Sequence, residues 1–330
     1  GWSVSAGFLD LDGDGWLDLF LGHYLTWNPA LNTPCYGSRG RRQYCAPKVY
    51  RAQQSRLFRN NRNGTFADVT SAARLATQFG PALGVSTADF DGDGWIDLYV
   101  ANDGEENQLW INQRDGTFVN RALLAGVALG SSGEAKAGMG VDAADFDDDG
   151  DEDLVVTNLT GEGMDLYVND GHATFVNNGA AAGIAHRSLP YTGFGVGWLD
   201  IDNDGRLDLL AVNGAVQVQE LTSQSGDVHN LGQRPQLFRN LGGGRFDEVT
   251  AAGGPALNVI NTGRGAAFGD VDNDGDTDVV ISNNMGRAQL LVNTTGQRRH
   301  WVGVRVVGAH PSASLGARVA ITPPSAPRRG

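Results

Sequence analysis

The chain has 330 residues, 41% of them hydrophobic, with 47 glycines and a net charge of −13. No apolar run approaches a membrane span, and the glycine content favours a soluble, turn-rich protein over a helical one. The length exceeds one ordinary domain, which internal repetition would accommodate.

Read from the start, Gly1-Trp2-Ser3 leads almost directly into DLDGDGWLD at 10–18. No secretory leader opens the sequence, so a processed or trimmed piece is expected. The pattern D-x-D-x-D-G-x-x-D then returns as DFDGDGWID (89–97), DFDDDGDED (145–153), DIDNDGRLD (200–208) and DVDNDGDTD (270–278). A short run enters each loop, with Gly84, Gly140, Gly195 and Gly265 five residues ahead of the first Asp. An apolar run leaves it and ends at Asn102, Asn158, Asn213 or Asn283, with His23 in the first copy. A third run follows (RLFRN, QLWIN, DLYVN, QLFRN, QLLVN), then a Gly-containing turn and a fourth (NGTFADVT, DGTFVNRA, HATFVNN, GGRFDEVT). β-Branched and aromatic runs bounded by Asn, Asp and Gly predict strands and hairpins. Four strands per unit, with starts 79, 56, 55 and 70 residues apart, predict an all-β propeller of four-stranded blades. Five blades are expected near 1–70, 83–122, 138–178, 193–250 and 263–308, in a ring of five to seven, each loop joining the first two strands of its blade.

Clusters of four or more carboxylates repel one another strongly unless a cation sits among them. Oxygen donors at alternate positions suit Ca2+, and about five ions are expected. Side chains at positions one, three, five and nine are the candidate ligands, with the position-seven carbonyl as a further oxygen. The set is Asp10, Asp12, Asp14, Trp16 and Asp18; Asp89, Asp91, Asp93, Trp95 and Asp97; Asp145, Asp147, Asp149, Asp151 and Asp153; Asp200, Asp202, Asp204, Arg206 and Asp208; and Asp270, Asp272, Asp274, Asp276 and Asp278. Five bound ions would leave a net charge of about −3. An EF-hand is excluded, because position twelve holds Leu21, Val100, Val156, Ala211 or Ile281 where a bidentate Glu is required.

These residues resemble the FG-GAP/VCBS repeat family, whose calcium-loop blades also build integrin α-subunit propellers. The segments at 35–70 and 293–321 and the NGAVQVQE stretch are similar to secreted cartilage-acidic-protein-like proteins with an ASPIC/UnbV segment, here expected at 296–330. The resemblance implies an extracellular Ca2+-binding propeller with no established catalytic apparatus, secreted or displayed at the cell surface, or periplasmic.

Strand alternation places the aspartate loops and the strand three–four hairpins on one face. Insertions near 24–55 and 214–235 fall on the other. Cys35 and Cys45 share the first insertion; a local disulfide is the preferred reading, with two free thiols in a cytosolic protein as the alternative. No acidic residue occurs from Leu19 to Ala67, while eight Arg and Lys side chains do. Arg39, Arg41, Arg42, Tyr44, Lys48, Tyr50 and Arg51 are candidate partner-binding residues, with His229 of the second insertion. They suit an anionic polysaccharide, an acidic protein surface or another copy of the chain, whose repetition would give a homopolymeric fibre; a plain solvated loop is the alternative. No nucleic-acid module is recognisable. Six scattered histidines form neither H-E-x-x-H nor any other catalytic motif, and no G-x-S-x-G occurs. A non-catalytic adhesion or assembly module is therefore expected, with a polysaccharide-active lyase or hydrolase on the insertion face as the alternative.

Overall fold

A computed structural model describes residues 2–37, 40, 42–217, 231–298, 301–307 and 319. The protein is an all-β, five-bladed propeller whose helices are single short turns. Blade 1 is built from Ser3–Leu9, Asp18–His23, Arg56–Asn60 and Phe66–Asp68. Blade 2 comprises Ala82–Ala88, Asp97–Asn102, Gln108–Asn112 and Phe118–Asn120. Blade 3 comprises Val141–Ala144, Asp153–Val156, Asp165–Asn169 and Phe175–Asn177. In blade 4 the strands are Gly193–Leu199, Asp208–Asn213, Gln236–Asn240 and Phe246–Glu248. Within each blade every strand pairs antiparallel with the next in sequence. Blade 5 departs from the expected count: Gly263–Gly269, Asp278–Asn283 and Gln289–Leu291 form a three-stranded sheet among the described residues. Its sequence lacks the fourth-strand Phe of the other blades, and the chain turns at Gly296–Arg298 instead.

In blades 2 to 4 the second strands are buried throughout because both of their faces are covered by sheet. In blade 2, Leu98, Tyr99, Val100 and Ala101 are all buried, Tyr99 against blade 3 and Leu98 against blade 1. The spaced glycines have the same origin. First strands of successive blades meet side by side, and a Cβ on Gly140 would lie 1.7 Å from the carbonyl oxygen of Phe194. One on Gly195 would lie 2.4 Å from the Ala266 nitrogen.

Five blades meet at four apolar seams among the described residues. Among the described residues, nothing covers the outer faces of the first and last blades. The fourth-strand phenylalanine packs on the preceding blade and is 1–5% exposed at Phe118, Phe175 and Phe246; Phe66, with no preceding blade beside it, is 42% exposed. At the other end, Val280 and Leu290 occupy the register of Leu210 and Leu237, which are buried in blade 4, yet Val280 and Leu290 are exposed. Ring closure and the segment at 296–330 concern residues mostly outside those described.

Candidate metal centres and the opposite face

All five aspartate loops fold alike, and their own backbone makes them do so. The position-six glycines (Gly15, Gly94, Gly150, Gly205, Gly275) have φ between 80° and 99°, a region other residues enter only with strain. Position four is also left-handed: Gly13, Gly92, Asp148, Asn203 and Asn273 all have φ between 53° and 71°. The sequence carried this signal, since Gly, Asn and Asp are the residues that tolerate that conformation. The position-one carboxylate then accepts two backbone hydrogen bonds. In blade 2, Asp89 takes the Asp93 N–H at 3.0 Å and the Gly94 N–H at 2.8 Å, and Asp10, Asp145, Asp200 and Asp270 repeat the pair. Position five accepts the position-seven N–H, as Asp93 does from Trp95 at 2.8 Å.

Carboxylate oxygens of positions one, three and nine lie within 4.8 Å of one another in every loop: Asp10/Asp12/Asp18, Asp89/Asp91/Asp97, Asp145/Asp147/Asp153, Asp200/Asp202/Asp208 and Asp270/Asp272/Asp278. These five clusters have the geometry to hold metal ions. Asp14, Asp93, Asp149, Asp204 and Asp274 stand beside them, each tied to the loop backbone. The position-seven side chains (Trp16, Trp95, Asp151, Arg206, Asp276) serve other contacts: Trp95 lies against Gly13 of the first loop, and Asp276 accepts from Asn203 at 2.7 Å.

The electrostatics call for a cation. Burial, then the neighbouring position-five carboxylate, raises Asp12, Asp91 and Asp147 above the usual range. Burial pushes Asp97 and Asp153 up to about 8, and Asp18 and Asp208 to about 6. Asp12 Oδ1 is shielded from solvent and lacks a hydrogen bond of normal geometry, although the Asp14 N–H points toward the carboxylate. Asp153 is wholly buried, and its Oδ2 lacks a hydrogen bond of normal geometry although the Phe146 N–H points toward it. Acceptor-only, oxygen-only donors with such orphaned atoms fit a hard divalent ion.

The position-nine aspartate has a second role that sequence reasoning did not find. Its Oδ1 accepts the N–H of the asparagine that ends strand three, or in blade 5 lies two residues past it: Asn60, Asn112, Asn169, Asn240 and Asn293, at 2.7–2.8 Å. From blade 2 onward, that asparagine's Nδ2 donates to the preceding blade: Asn112 to Leu11, Asn169 to Phe90, Asn240 to Phe146, Asn293 to Ile201. Each loop is therefore wired both to its own third strand and to the neighbouring blade. The recurrent final Asn of the third strand was the available signal.

On the opposite face, Cys35 and Cys45 form a disulfide with Cα atoms 5.2 Å apart, closing a small hairpin of Cys35–Tyr36 and Arg42–Gln43. The insertion is anchored where Tyr24 donates its hydroxyl to Asp103 of blade 2 and stacks edge-on with Trp2. Arg42, Tyr44, Lys48 and Arg51 are exposed, whereas Tyr50 is half-buried with its hydroxyl toward Cys45 Sγ. Arg39, Arg41 and His229 lie outside the described residues. The acid-free stretch proves not to be one basic surface: Arg56 pairs with Asp68 within blade 1, and Arg59 and Arg62 pair with Asp12 and Asp14 on the loop face. Arg59 and Arg62 sit toward the far end of the third strand and in its hairpin, away from the insertion, while Arg56 opens that strand beside the insertion. His23 takes over the task of the asparagines it replaces, its Nδ1 meeting the Gln54 carbonyl at 2.9 Å as Asn102 Nδ2 meets that of Glu106. Asp165, outside the aspartate loops, is buried and accepts from Lys136 Nζ at 2.6 Å.

A model of the FG-GAP-like repeat matches residues 44–100, 89–156, 145–211 and 225–281, the first three overlapping from one aspartate loop to the next. Human cartilage acidic protein 1 is 26% identical over 264 residues, and the Xenopus tropicalis protein of that name 27% over 179. The human alignment covers 77% of this chain and 36% of the relative, so the chain spans about a third of that protein's length. Among solved structures, an Agrocybe aegerita lectin that recognises non-reducing terminal N-acetylglucosamine is 17% identical, with a TM-score of 0.40 over 89% of this chain and 82% of the lectin. The exotype rhamnogalacturonan lyase YesX is 15% identical, with a TM-score of 0.41 over 89% of this chain and 45% of the lyase. Loop spacing, blade topology and the matched repeats agree: the chain belongs to the FG-GAP-like repeat family.

Proposed function

We propose that this is an extracellular propeller fastened by Ca2+, which presents its insertion face to an anionic partner and performs no chemistry on it. The observation that carries the reading is the asymmetry of the two faces. One repeats a single carboxylate arrangement five times, with the position-one and position-nine carboxylates also tied to the scaffold. The other carries a disulfide-closed hairpin with Tyr36, Arg42 and Tyr44 exposed, and Lys48 and Arg51 exposed just after it. Bound Ca2+ would supply the positive charge that lets the buried carboxylates ionise together. The chain's own residues set its position, through the backbone hydrogen bonds that aim positions one and nine at a common point.

The disulfide and the similarity to cartilage acidic protein 1 favour an oxidising compartment, where calcium near the millimolar range keeps modest sites filled. Arginine and lysine beside tyrosine rings suit a sulfated or carboxylated polysaccharide, or an acidic protein surface. The test is binding of the calcium-loaded protein to heparin and polygalacturonate, compared with the variant R42E/K48E. Saturable, salt-sensitive binding without product, weakened at least tenfold in the variant, is expected. Turnover of either polymer would replace the reading with a catalytic one, and equal binding by the variant would move the partner site elsewhere.

A further inference from the structure

The five loops fall into two electrostatic classes that the shared motif conceals. In loop 1, Asp14 Oδ2 accepts from Arg62 Nε at 3.0 Å and from its Nη2, and Arg59 Nε lies 3.4 Å from Asp12. In loop 2, Asp93 Oδ2 accepts from Arg114 Nε at 2.6 Å. In loop 4, Arg239 Nη2 reaches Asp202 at 2.6 Å and Asp204 at 3.5 Å, and Arg206 adds a contact to Asp204 at 3.3 Å. Loop 5 has a neutral donor at the same place, Gln297 Nε2 to Asp274 Oδ2 at 2.7 Å. In loop 3, Asp145, Asp147, Asp149 and Asp153 have no ion-pair partner among the described residues, and Asp148, Asp151 and Glu152 add three further acids to the motif. The hairpin beside loop 3 carries Asp170 and Gly171, and a Cβ on Gly171 would already touch Asp151 at 3.1 Å.

The arginines are placed, not scattered. Arg62 and Arg114 occupy the same hairpin position with φ of 61° and 62°, where each N–H donates to the preceding asparagine side chain. That conformation suits glycine, and the matching residue of blade 4 is Gly242, with φ of 75°. Blade 4 obtains its cation from two other positions. Three blades thus put a guanidinium on the position-three or position-five carboxylate, from three different positions in the blade.

We infer that Arg62, Arg114 and Arg239 are built-in counter-cations that hold loops 1, 2 and 4 at lower calcium affinity than loop 3. The inference rests on the calcium reading above. Without metal, the guanidinium offsets part of the carboxylate repulsion and so stabilises the apo loop. With metal, a fixed positive charge near a divalent ion opposes its binding, by Coulomb's law, and more weakly as salt rises. Calcium sites are tuned by this kind of ligand charge count. The propeller would then fill in stages, loop 3 first and the arginine-bearing loops at higher calcium. Blades 1, 2 and 4 would be secured last, blade 1 being the one from which the disulfide-closed hairpin projects.

Calorimetric calcium titration of the full chain at low ionic strength tests this, with wild type, R62Q, R114Q and the converse variant Q297R. Wild type should resolve at least two affinity classes. R62Q and R114Q should each tighten one weak site by about three- to tenfold and lower the melting temperature measured in EDTA. Q297R should weaken one site by a similar factor, and all three changes should shrink at high salt. Unchanged or weaker binding in both R62Q and R114Q, with wild-type binding intact, would overturn the counter-cation role alone and make these arginines positioning groups for the carboxylates. A wild type that binds no calcium would remove the calcium reading as well.

Discussion

Blades 1 and 2 have nearly the same sequence pattern and different surroundings. Their aspartate loops are alike to within a few tenths of an ångström in every repeated hydrogen bond: Asp10 and Asp89 each accept the position-six N–H at 2.8 Å. Their flanks are not alike. Blade 2 is covered on both faces, and Phe118 is 1% exposed; blade 1 is covered on one, and Phe66 is 42% exposed. Asn112 reaches across to Leu11, whereas Asn60, with no earlier blade beside it, donates to Leu17 of its own. The loop is thus autonomous, set by its own nine residues and the strand beside it. The seam is relational, set by what stands next to it.

That contrast can be broken by paired substitutions. The largest effect is expected at Asp97, fully buried with both carboxylate oxygens in hydrogen bonds to Asn112 and Phe90. Asp97→Ala strands two buried donors and removes a metal oxygen, for a loss of about 3–5 kcal/mol in chemical denaturation with calcium present. A loss below about 1 kcal/mol would mean that the loop is not a fastening point.

Next come the two phenylalanines. Phe118→Ala should cost about 3–5 kcal/mol through the cavity it leaves in the first seam. Phe66→Ala, at the matching position of blade 1, should cost under about 1 kcal/mol. Equal losses would mean that blade 1 is covered in solution. The same logic at smaller scale sets Asn112→Ala, expected to cost about 1–3 kcal/mol for its two carbonyl contacts, against a smaller loss for Asn60→Ala.

A pH series sharpens the loop side of the comparison. Asp97 and Asp153 titrate near 8 in the metal-free fold because burial disfavours their charge, while an unfolded Asp titrates near 4. The folded state therefore holds more protons than the unfolded state between those values, and metal-free stability must fall as pH rises through that window. The melting temperature in EDTA should be higher at pH 5 than at pH 8. Saturating calcium should flatten or reverse the trend, because the ion engages the ionised carboxylates. A metal-free melting temperature that rises toward pH 8 would contradict the burial of these groups.

Much of this was legible in the chain. The repeated nonapeptide and its flanking runs gave the propeller, the blade count and the five carboxylate clusters, because each unit's period and turn chemistry are local. The disulfide was legible from proximity in sequence. Arg62 was not: it belonged to a long acid-free stretch and read as part of the insertion's charge, when a hairpin placed it on Asp14 of the other face. Lys136 and Asp165 meet across 29 residues and two elements, which no local pattern encodes. Among the described residues blade 5 lacks a fourth strand, and its sequence lacks the matching phenylalanine, a signal that could be read only once Phe118, Phe175 and Phe246 proved to be seam residues.

The central claim is that the aspartate loops are cation sites which hold the blades together. The direct measurement is the melting temperature of the full chain at pH 7.5 in excess EDTA and in millimolar calcium, with magnesium as control. The account predicts a large calcium-specific rise, one that keeps growing with calcium concentration as binding linkage requires, and a bound stoichiometry near five. Equal melting temperatures in EDTA and calcium would contradict it.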